Sequence, residues 1–456
     1  MSGSAPAVTV VGGGIAGLAA AWEACRAGAS VAVLEAGDRL GGRVATTQLA
    51  GRPVDLGADA FLTRAPHTAA LDLCRELGLE TELVAPAAEG AAVWTGGRLR
   101  PLPAGMVLGA PAGLSGLARV ARSGILSPAG VARAAADLVL PRSGTTGDRS
   151  VGDLVARRLG RQVADRLVDP LLGGIHAGPS SRLSAEAVAP QLFSAASSHR
   201  SLVLALGAQR RAAQRSGAGG PVFRSVAGGM GRLVGALVDA LRAAGARLET
   251  GVAVEDVADL ATGPVVLATS ASVAASLLGA RAADAAAGLR AIEVASVALV
   301  ALAYPAAAFP RPLAGTGFLV PAGEGRLLTA CSYGSAKWPQ WAGAGHVVLR
   351  ASAGRAGDER ALALGDAALV GRLHGELTAA LGLTAAPADS VVARWPGAFP
   401  QYTVGHLARV DAIEASLARD LPGVALAGSS YRGVGIPACI ASGRAAARRL
   451  LAVNTA

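Results

Sequence analysis

Residues 8–17, VTVVGGGIAG, decide the fold of this chain. The apolar residues 8–11 are typical of a short buried strand, and residues 15–27 are helical in pattern. The glycines between them match G-x-G-x-x-G, in which glycine allows a tight turn, close approach of backbone N–H groups to a pyrophosphate, and close packing of helix on strand. A second strand is predicted at residues 29–34, so the chain begins with a βαβ unit.

This unit predicts a dinucleotide site at the start of its helix. The free N–H groups and the dipole of a helix N-terminus favour an anion such as a pyrophosphate. Glu35 ends the second strand, where a carboxylate accepts hydrogen bonds from ribose hydroxyls. The residues predicted to hold the cofactor here are Gly12, Gly13, Gly14, Ile15, Ala16, Gly17, Glu35 and Ala36.

The next two segments narrow the type of cofactor. Residues 35–43, EAGDRLGGR, resemble the E-A-x-x-R-x-G-G-R signature of the amine-oxidase-like flavoprotein superfamily, and residues 54–61, VDLGADAF, resemble the stretch that passes the flavin ring there. The resemblance implies that the cofactor is FAD and that Arg43 neutralises its pyrophosphate. It also implies an adenine contact from Val254, within residues 247–257, which are predicted as strands. The residues implied to lie beside the flavin ring are Gly57, Ala58, Asp59 and Ala60.

The C-terminal loop points to one family. Residues 427–443, AGSSYRGVGIPACIASG, closely resemble the G-x-x-Y-x-G-V-G-I-P-D-C-I-x-S-G stretch of bacterial porphyrinogen oxidases, and residues 394–396 and 400–406 resemble the same family. Ala438 stands where that family usually has Asp, so a polar contact from this side chain is lost. Cys439 is interpreted as a packing residue, so the FAD is expected to be non-covalent. The resemblance implies further cofactor contacts from Trp395, Val434, Gly435 and Ile436.

This resemblance implies a reaction: six-electron oxidation of a porphyrinogen to a porphyrin, with O₂ as acceptor and H₂O₂ as product. No catalytic acid or base is predicted. Arg64, which follows the flavin-passing segment, is predicted to bind a substrate propionate, since arginine pairs well with carboxylates. Coproporphyrinogen III is favoured over protoporphyrinogen IX because it carries four propionates rather than two, and the chain is Arg-rich with a net charge of +10.

Three alternatives stay open. The first is a protoporphyrinogen IX oxidase. The second is an amine oxidase, although residues 296–304 align by pattern with the superfamily strand that carries a lysine near the flavin, and Leu299 stands at the lysine position. The third is a flavin-bearing porphyrin carrier without turnover.

Composition excludes several other classes of protein. Charged residues make up only 16% of the 456, which argues against disorder, and no apolar run approaches the ~20 residues that span a bilayer. The six histidines and four cysteines show no metal-ligand spacing, so no metal is expected. Lys337 is the only lysine, and with 3% aromatic residues nucleic-acid binding is not expected. Without a secretory signal, the protein is expected to be cytoplasmic, with peripheral membrane contact at most, through residues 102–140.

The predicted fold class is α/β: a discontinuous Rossmann-like FAD-binding domain with an α+β substrate domain and a helical insertion. The FAD-binding motifs lie at both ends of the chain, which requires the discontinuity. Oligomeric state is left open. The predicted segments are 1–88, 222–285 and 400–456 for the FAD-binding domain, 89–105, 186–221 and 286–399 for the substrate domain, and 106–185 for the helical domain.

Overall fold

The computed structural model describes residues 7–141, 147–215, 220–260, 263–343 and 345–453. The outermost residues of the first and last predicted segments, and short stretches of four others (142–146, 216–219, 261–262 and 344), lie outside the described residues. The strands are β1 (Ala7–Val11), β2 (Ser30–Glu35), β3 (Thr46–Leu49), β4 (Arg52–Asp55), β5 (Phe61–Leu62), β6 (Leu83–Val84), β7 (Ala92–Thr95), β8 (Arg98–Pro101), β9 (Met106–Val107), β10 (Ala110–Pro111), β11 (Phe223–Val226), β12 (Arg247–Thr250), β13 (Val265–Leu267), β14 (Val294–Pro305), β15 (Gly317–Leu319), β16 (Leu328–Ser332), β17 (His346–Ala353), β18 (Asp389–Pro400) and β19 (Val424–Leu426). The helices are α1 (Ile15–Arg26), α2 (Ala69–Glu76), α3 (Gly113–Arg122), α4 (Pro128–Ala135), α5 (Val151–Leu159), α6 (Arg161–Val163), α7 (Asp169–His176), α8 (Ala185–Val188), α9 (Pro190–Ser198), α10 (Leu202–Arg215), α11 (Gly231–Ala243), α12 (Ala271–Leu278), α13 (Ala283–Arg290), α14 (Gly334–Lys337), α15 (Asp366–Leu381), α16 (His406–Asp420) and α17 (Ile436–Val453).

A five-stranded parallel sheet, in the order β12-β2-β1-β13-β19, carries the N-terminal βαβ unit. Its strands come from three widely separated sections of the chain. The predicted βαβ unit is therefore confirmed. Strands from the middle and the end of the sequence complete the sheet on either side of it. Because parallel strands share one carboxyl edge, the segments that follow these strands meet at that edge.

A seven-stranded mixed sheet, in the order β18-β14-β17-β16-β15-β7-β8, forms the second layer. Side chains of β14 alternate between its two faces, as the period of a strand requires. Val300 and Leu302 pack in the same core as Leu369 of α15, whereas Ala301 and Ala303 pack with Trp338 and Trp341 and with the hairpin β3–β4. The second face therefore lies against the hairpin that leads into Gly57.

The helices between α3 and α10 share one apolar core. It includes Val120 of α3, Val155 of α5 and Leu206 of α10. Helices α9 and α10 bury their apolar residues in this core, so the helical layer takes in much of the 186–221 segment that was predicted to join the substrate domain.

A buried ion pair stabilises this helical layer. Arg158 donates from Nε to Oδ1 of Asp137 at 2.7 Å, and the Asp137 carboxylate also accepts from Ser201 Oγ at 2.7 Å and Val203 N at 2.9 Å. Removing one partner of such a buried pair typically costs about 3–5 kcal/mol. Asp137 follows α4, so the ion pair and the two further hydrogen bonds connect α5, the end of α4 and the start of α10.

The strands predicted around Val254 are shorter in the structure. Residues 247–257 were predicted as strands, but β12 ends at Thr250, because Gly251 adopts a φ of +73° and turns the chain. Val252 N then bonds the last residue of β2, and Gly251 N bonds Gly37 in the loop after β2, so β12 is not extended. Among the described residues, no helix combines the length and hydropathy that crossing a membrane requires.

Candidate flavin site

The glycine loop after β1 is organised by one carboxylate. Glu35 accepts a hydrogen bond from Gly13 N at 2.6 Å through Oε2 and another from Gly37 N at 2.8 Å through Oε1. Gly41 N donates to Gly13 O at 2.8 Å, which lays the second signature against the first. Glu35 is half-buried at the carboxyl end of β2, where a ribose could reach it.

The start of α1 leaves room for a ligand. A Cβ atom added to Gly14 would meet no protein atom within 4 Å, so protein packing does not explain the glycine at this position. Helix α1 begins at the next residue, and its free N–H groups favour an anion. The residues present therefore fit a pyrophosphate at this position.

The predicted adenine segment lies at the same edge of the sheet. Val252 N donates to Glu35 O at 2.9 Å, and Gly251 N donates to Gly37 O at 2.8 Å. Val254 follows two residues later, half-buried and outside any strand. The structure thus places the start of the segment that holds Val254 beside Glu35.

Arg43 connects three parts of the candidate site. Its Nη2 donates to Ser429 Oγ at 2.6 Å, and its Nη1 donates to the carbonyl of Ala398 on β18. The guanidinium therefore lies where the first signature, the seven-stranded sheet and the C-terminal loop meet. A cation at this junction suits an anionic cofactor.

The flavin-passing segment is fixed by hydrogen bonds to its carbonyls. Arg350 Nη1 donates to Gly57 O at 2.7 Å and to Asp55 O at 3.2 Å, and Trp395 Nε1 donates to Leu56 O at 2.9 Å. A Cβ atom on Gly57 would lie 1.7 Å from the carbonyl oxygen of Arg43, so only glycine fits. Three consecutive carbonyls are thus held by the seven-stranded sheet.

Asp59, in the same segment, is buried and has three strong partners. Its carboxylate lies 3.0 Å from Lys337 Nζ and 3.2 Å from Arg350 Nη2, and it accepts from Trp338 Nε1 at 2.9 Å. Burial alone would raise the pKa of Asp59, but the charges of Arg350 and Lys337 outweigh burial and hold the pKa well below its usual range. Asp59 is therefore ionised at neutral pH.

The loop before α17 is held by a tyrosine and a histidine. Tyr402 Oη donates to Ser429 O at 2.6 Å and accepts from Gly433 N at 2.8 Å, and His406 Nε2 donates to Tyr431 O at 2.6 Å. These bonds leave Gly435 exposed in front of α17. Val434, Gly435 and Ile436 therefore lie at a helix N-terminus, as the predicted flavin contact requires.

A family model described as flavin containing amine oxidoreductase matches residues 15–451. The chain belongs to this family. Flavin-containing amine oxidoreductases of similar sequence include two proteins named coproporphyrinogen III oxidase. The one from Mycobacterium tuberculosis is 38% identical over 96% of this chain and 95% of its own length, and the one from Bacillus subtilis is 33% identical over 98% of each.

Two solved structures share the fold of this chain. An Exiguobacterium protein solved as a candidate protoporphyrinogen oxidase is 28% identical, with a TM-score of 0.83 over 98% of both chains. A reduced UDP-galactopyranose mutase is 17% identical with a TM-score of 0.72 over 99% of this chain and 96% of its own, a likeness in fold alone. Family membership makes this chain a flavin-dependent oxidoreductase with an α/β fold.

The structure brings most of the predicted residues into one region. The glycine loop is bonded to Glu35 and to Gly41, and Arg43, two residues after Gly41, reaches both the Trp395 strand and the C-terminal loop. Arg64 is separate: it is exposed and donates from Nη2 to Gly220 O at 2.9 Å. Its contact with a substrate stays a prediction.

Sequence reasoning missed the residues that hold this region together. Tyr402, His406 and Ser429 lie in stretches that resemble the porphyrinogen oxidases, but none of them was assigned a contact. Lys337, Trp338 and Arg350 lie outside those stretches, and only Lys337 had a visible signal, since it is the only lysine in the chain. The missed residues are Lys337, Trp338, Arg350, Tyr402, His406 and Ser429.

Proposed function

We propose that this chain is an FAD-dependent oxidase that converts coproporphyrinogen III to coproporphyrin III, with O₂ as acceptor and H₂O₂ as product. The observation that carries the proposal is the identity of 33–38%, over 96–98% of this chain, to bacterial proteins named coproporphyrinogen III oxidase. Removal of six electrons consumes three O₂ and releases three H₂O₂ for each porphyrin formed.

The cofactor we propose is FAD rather than a smaller flavin. Its pyrophosphate would lie at Gly14 and the start of α1, its ribose at Glu35, and its adenine near Val254. Gly57–Ala60 and residues 434–436 would border the ring. Bound FAD would supply a hydride acceptor and a route for electrons to O₂, while the residues of this chain would position the ring and exclude water.

We also propose that the FAD is held without a covalent bond. Cys439, the cysteine of the C-terminal loop, is buried, and burial raises the pKa of its thiol to about 11, so the thiol is not poised as a nucleophile. Acid or heat precipitation should therefore release all the flavin into the supernatant. Flavin that stays with the precipitate would contradict this.

The preference for coproporphyrinogen III rests on charge. The chain carries a net charge of +10, and Arg64 is an exposed cation that keeps donors available after bonding Gly220 O. A substrate with four carboxylates gains more from such a surface than one with two. The alternative, protoporphyrinogen IX, is favoured by two comparisons: the Exiguobacterium structure solved as a candidate protoporphyrinogen oxidase, and a bovine protein named protoporphyrinogen oxidase that is 32% identical over 97% of this chain.

An amine as substrate is not supported by the candidate site. Leu299 lies on β14 at the position where the superfamily pattern has lysine, paired with Ser352 and Ala393 on the neighbouring strands. The only lysine of the chain is instead bonded to Asp59. A lysine close to an amine substrate is therefore absent from the place where the pattern expects it.

We propose that segments 1–88, 222–285 and 400–456 form the FAD-binding domain, as the sequence predicts. We further propose a cytoplasmic protein that touches membranes through residues 102–140. There Leu114 (61% exposed) and Val139 (77% exposed) accompany the exposed arginines Arg122 and Arg133, a combination suited to anionic lipid. Co-sedimentation with anionic vesicles, reversed by salt, would test this contact.

One experiment tests the main proposal. The flavin-loaded protein is incubated in air with coproporphyrinogen III, and porphyrin fluorescence and H₂O₂ are measured together. We expect fluorescence to appear with three H₂O₂ per porphyrin. A protein that binds the tetrapyrrole but yields no enzyme-dependent porphyrin would be a carrier, and the proposal would fail.

A further inference from the structure

The only lysine of the chain is enclosed beside the proposed flavin segment. Lys337 ends the short helix α14, and only 20% of its side chain is exposed. Its Nζ lies 3.0 Å from Asp59 Oδ2 and 4.9 Å from the ring centroid of the buried Trp338. Enclosing a charge in this way is costly unless it is paired, and the pair spans 278 residues of sequence.

A second cation, Arg350, also pairs with the Asp59 carboxylate. Arg350 comes from β17, and its guanidinium contacts Asp59 Oδ1 while holding the carbonyls of Asp55 and Gly57. Both cations therefore come from the layer of the seven-stranded sheet, and both meet the backbone segment that borders the proposed ring.

The other nearby carboxylate has its own partners. Asp55 is fully buried and accepts from the N–H of Met230, just before α11, at 2.9 Å and from the hydroxyl of Thr46 on β3. Lys337 is bonded to Asp59 rather than to Asp55. Changing Lys337 or Asp59 therefore leaves the hydrogen bonds of Asp55 in place. Burial raises the pKa of Asp55 to about 6 and the charge of Asp59 adds to this, so the variants are compared well above pH 6, where Asp55 is ionised.

We propose that Lys337 is a positioning residue that holds Asp59, and with it Gly57–Ala60, against the flavin, and that its charge favours the reduced flavin. The inference rests on the proposed FAD site. A reduced flavin carries more negative charge than the oxidised form, and a partly buried cation interacts with that charge more strongly than a solvated one does. Loss of the cation should disfavour reduction, and loss of the Asp59 charge should favour it.

The test is the midpoint potential of the bound flavin, measured by dye-coupled reduction without porphyrinogen. For Lys337→Met we expect at least a tenfold shift of the equilibrium toward oxidised flavin, which is about 30 mV for a two-electron couple. Asp59→Asn should shift the potential in the opposite direction, and the double variant should lie near wild type. Lys337→Arg should retain the wild-type potential, because it keeps the charge.

Controls separate this inference from the proposed function. Arg360→Met removes a surface cation paired with Asp358 at 2.8 Å and should leave the potential unchanged. If wild type binds no FAD, the proposed function fails. If FAD binds and both Lys337→Met and Asp59→Asn leave the potential unchanged, or both shift it in the same direction, this inference is overturned and the proposed function stands.

Discussion

The ring of Tyr402 stacks on the imidazole of His406, with ring centroids 3.9 Å apart and ring planes 12° from parallel. Together the two side chains bond Ser429, Tyr431 and Gly433, so they fix the loop that precedes α17. Burial lowers the pKa of His406, so its ring is neutral at neutral pH and donates from Nε2. The loop that would meet the flavin is therefore positioned by two residues more than 20 positions away in sequence.

Tyr402→Phe removes one donor and one acceptor from that loop while keeping the ring stack. A buried hydrogen bond left unmade costs about 1–3 kcal/mol, so we expect flavin binding to weaken roughly tenfold. Flavin titration of the apoprotein measures this. Tyr304→Phe is the matched control, because Tyr304 bonds His374 in another core, at 3.1 Å, and its loss should leave flavin affinity unchanged. Equal flavin affinity of Tyr402→Phe and wild type would count against the loop's role.

Glu35→Ala should weaken FAD retention. A hydrogen bond to a charged group is worth roughly 1.5–3 kcal/mol, which corresponds to about a ten- to hundredfold rise in the dissociation constant. Flavin fluorescence during titration gives the constant. Glu249→Ala on the neighbouring strand β12, where the carboxylate pairs with Arg247, should leave it unchanged. An unchanged constant for Glu35→Ala would mean that this carboxylate does not bind the ribose.

His176 makes stability depend on pH. Burial lowers the pKa of its imidazole from 6.5 to about 4, so between these values the unfolded chain binds a proton that the folded chain does not. Stability that is present above pH 6.5 is therefore lost as pH falls toward 4, by about 3 kcal/mol from this group. Urea unfolding at pH 7, 5.5 and 4 should show a smaller loss for His176→Phe. The control variant His346→Gln, at an exposed histidine, should lose as much stability as wild type. Equal losses of stability in all three proteins would refute the assignment to His176.

Arg64→Ala should raise KM for coproporphyrinogen III more than it lowers kcat. A propionate contact is made equally in the ground and transition states, so its loss weakens binding without slowing the chemical step. Steady-state kinetics separate the two constants. Arg242→Ala removes an equally exposed arginine from α11 and should change neither. A fall in kcat at unchanged KM would place Arg64 elsewhere in the mechanism.

The contacts that the sequence could predict are those between residues that are close in sequence or that belong to one motif. Glu35 reaches Gly37, two positions away, and Gly13, whose place the βαβ unit fixes, so both contacts follow from the motif. The pair of Asp59 and Lys337 joins two layers of the fold, and no local pattern relates residues so far apart. Residues 247–257 do begin beside β2, as the predicted cofactor site requires, but the strand ends before Gly251 and so does not include Val254.

The helical layer shows the same limit. The sequence pattern of residues 151–167 predicts one helix with its acidic and arginine residues on one side, but in the structure α5 ends before Gly160, where φ is +90°. Arg158 then points into the core toward Asp137 rather than to solvent. A charged residue in a predicted helix indicates an exposed face unless a buried partner is known. The partner of Arg158 lies outside its helix, so the pattern of the helix could not reveal it.

The most direct test of the central claim is kcat/KM for coproporphyrinogen III and protoporphyrinogen IX, measured with the same flavin-loaded preparation at matched ionic strength. We predict a higher kcat/KM for coproporphyrinogen III. The difference should narrow as salt rises, because charges more than ~8 Å apart are screened at 0.15 M. A higher kcat/KM for protoporphyrinogen IX, or no turnover of coproporphyrinogen III by protein with bound FAD, would contradict the account.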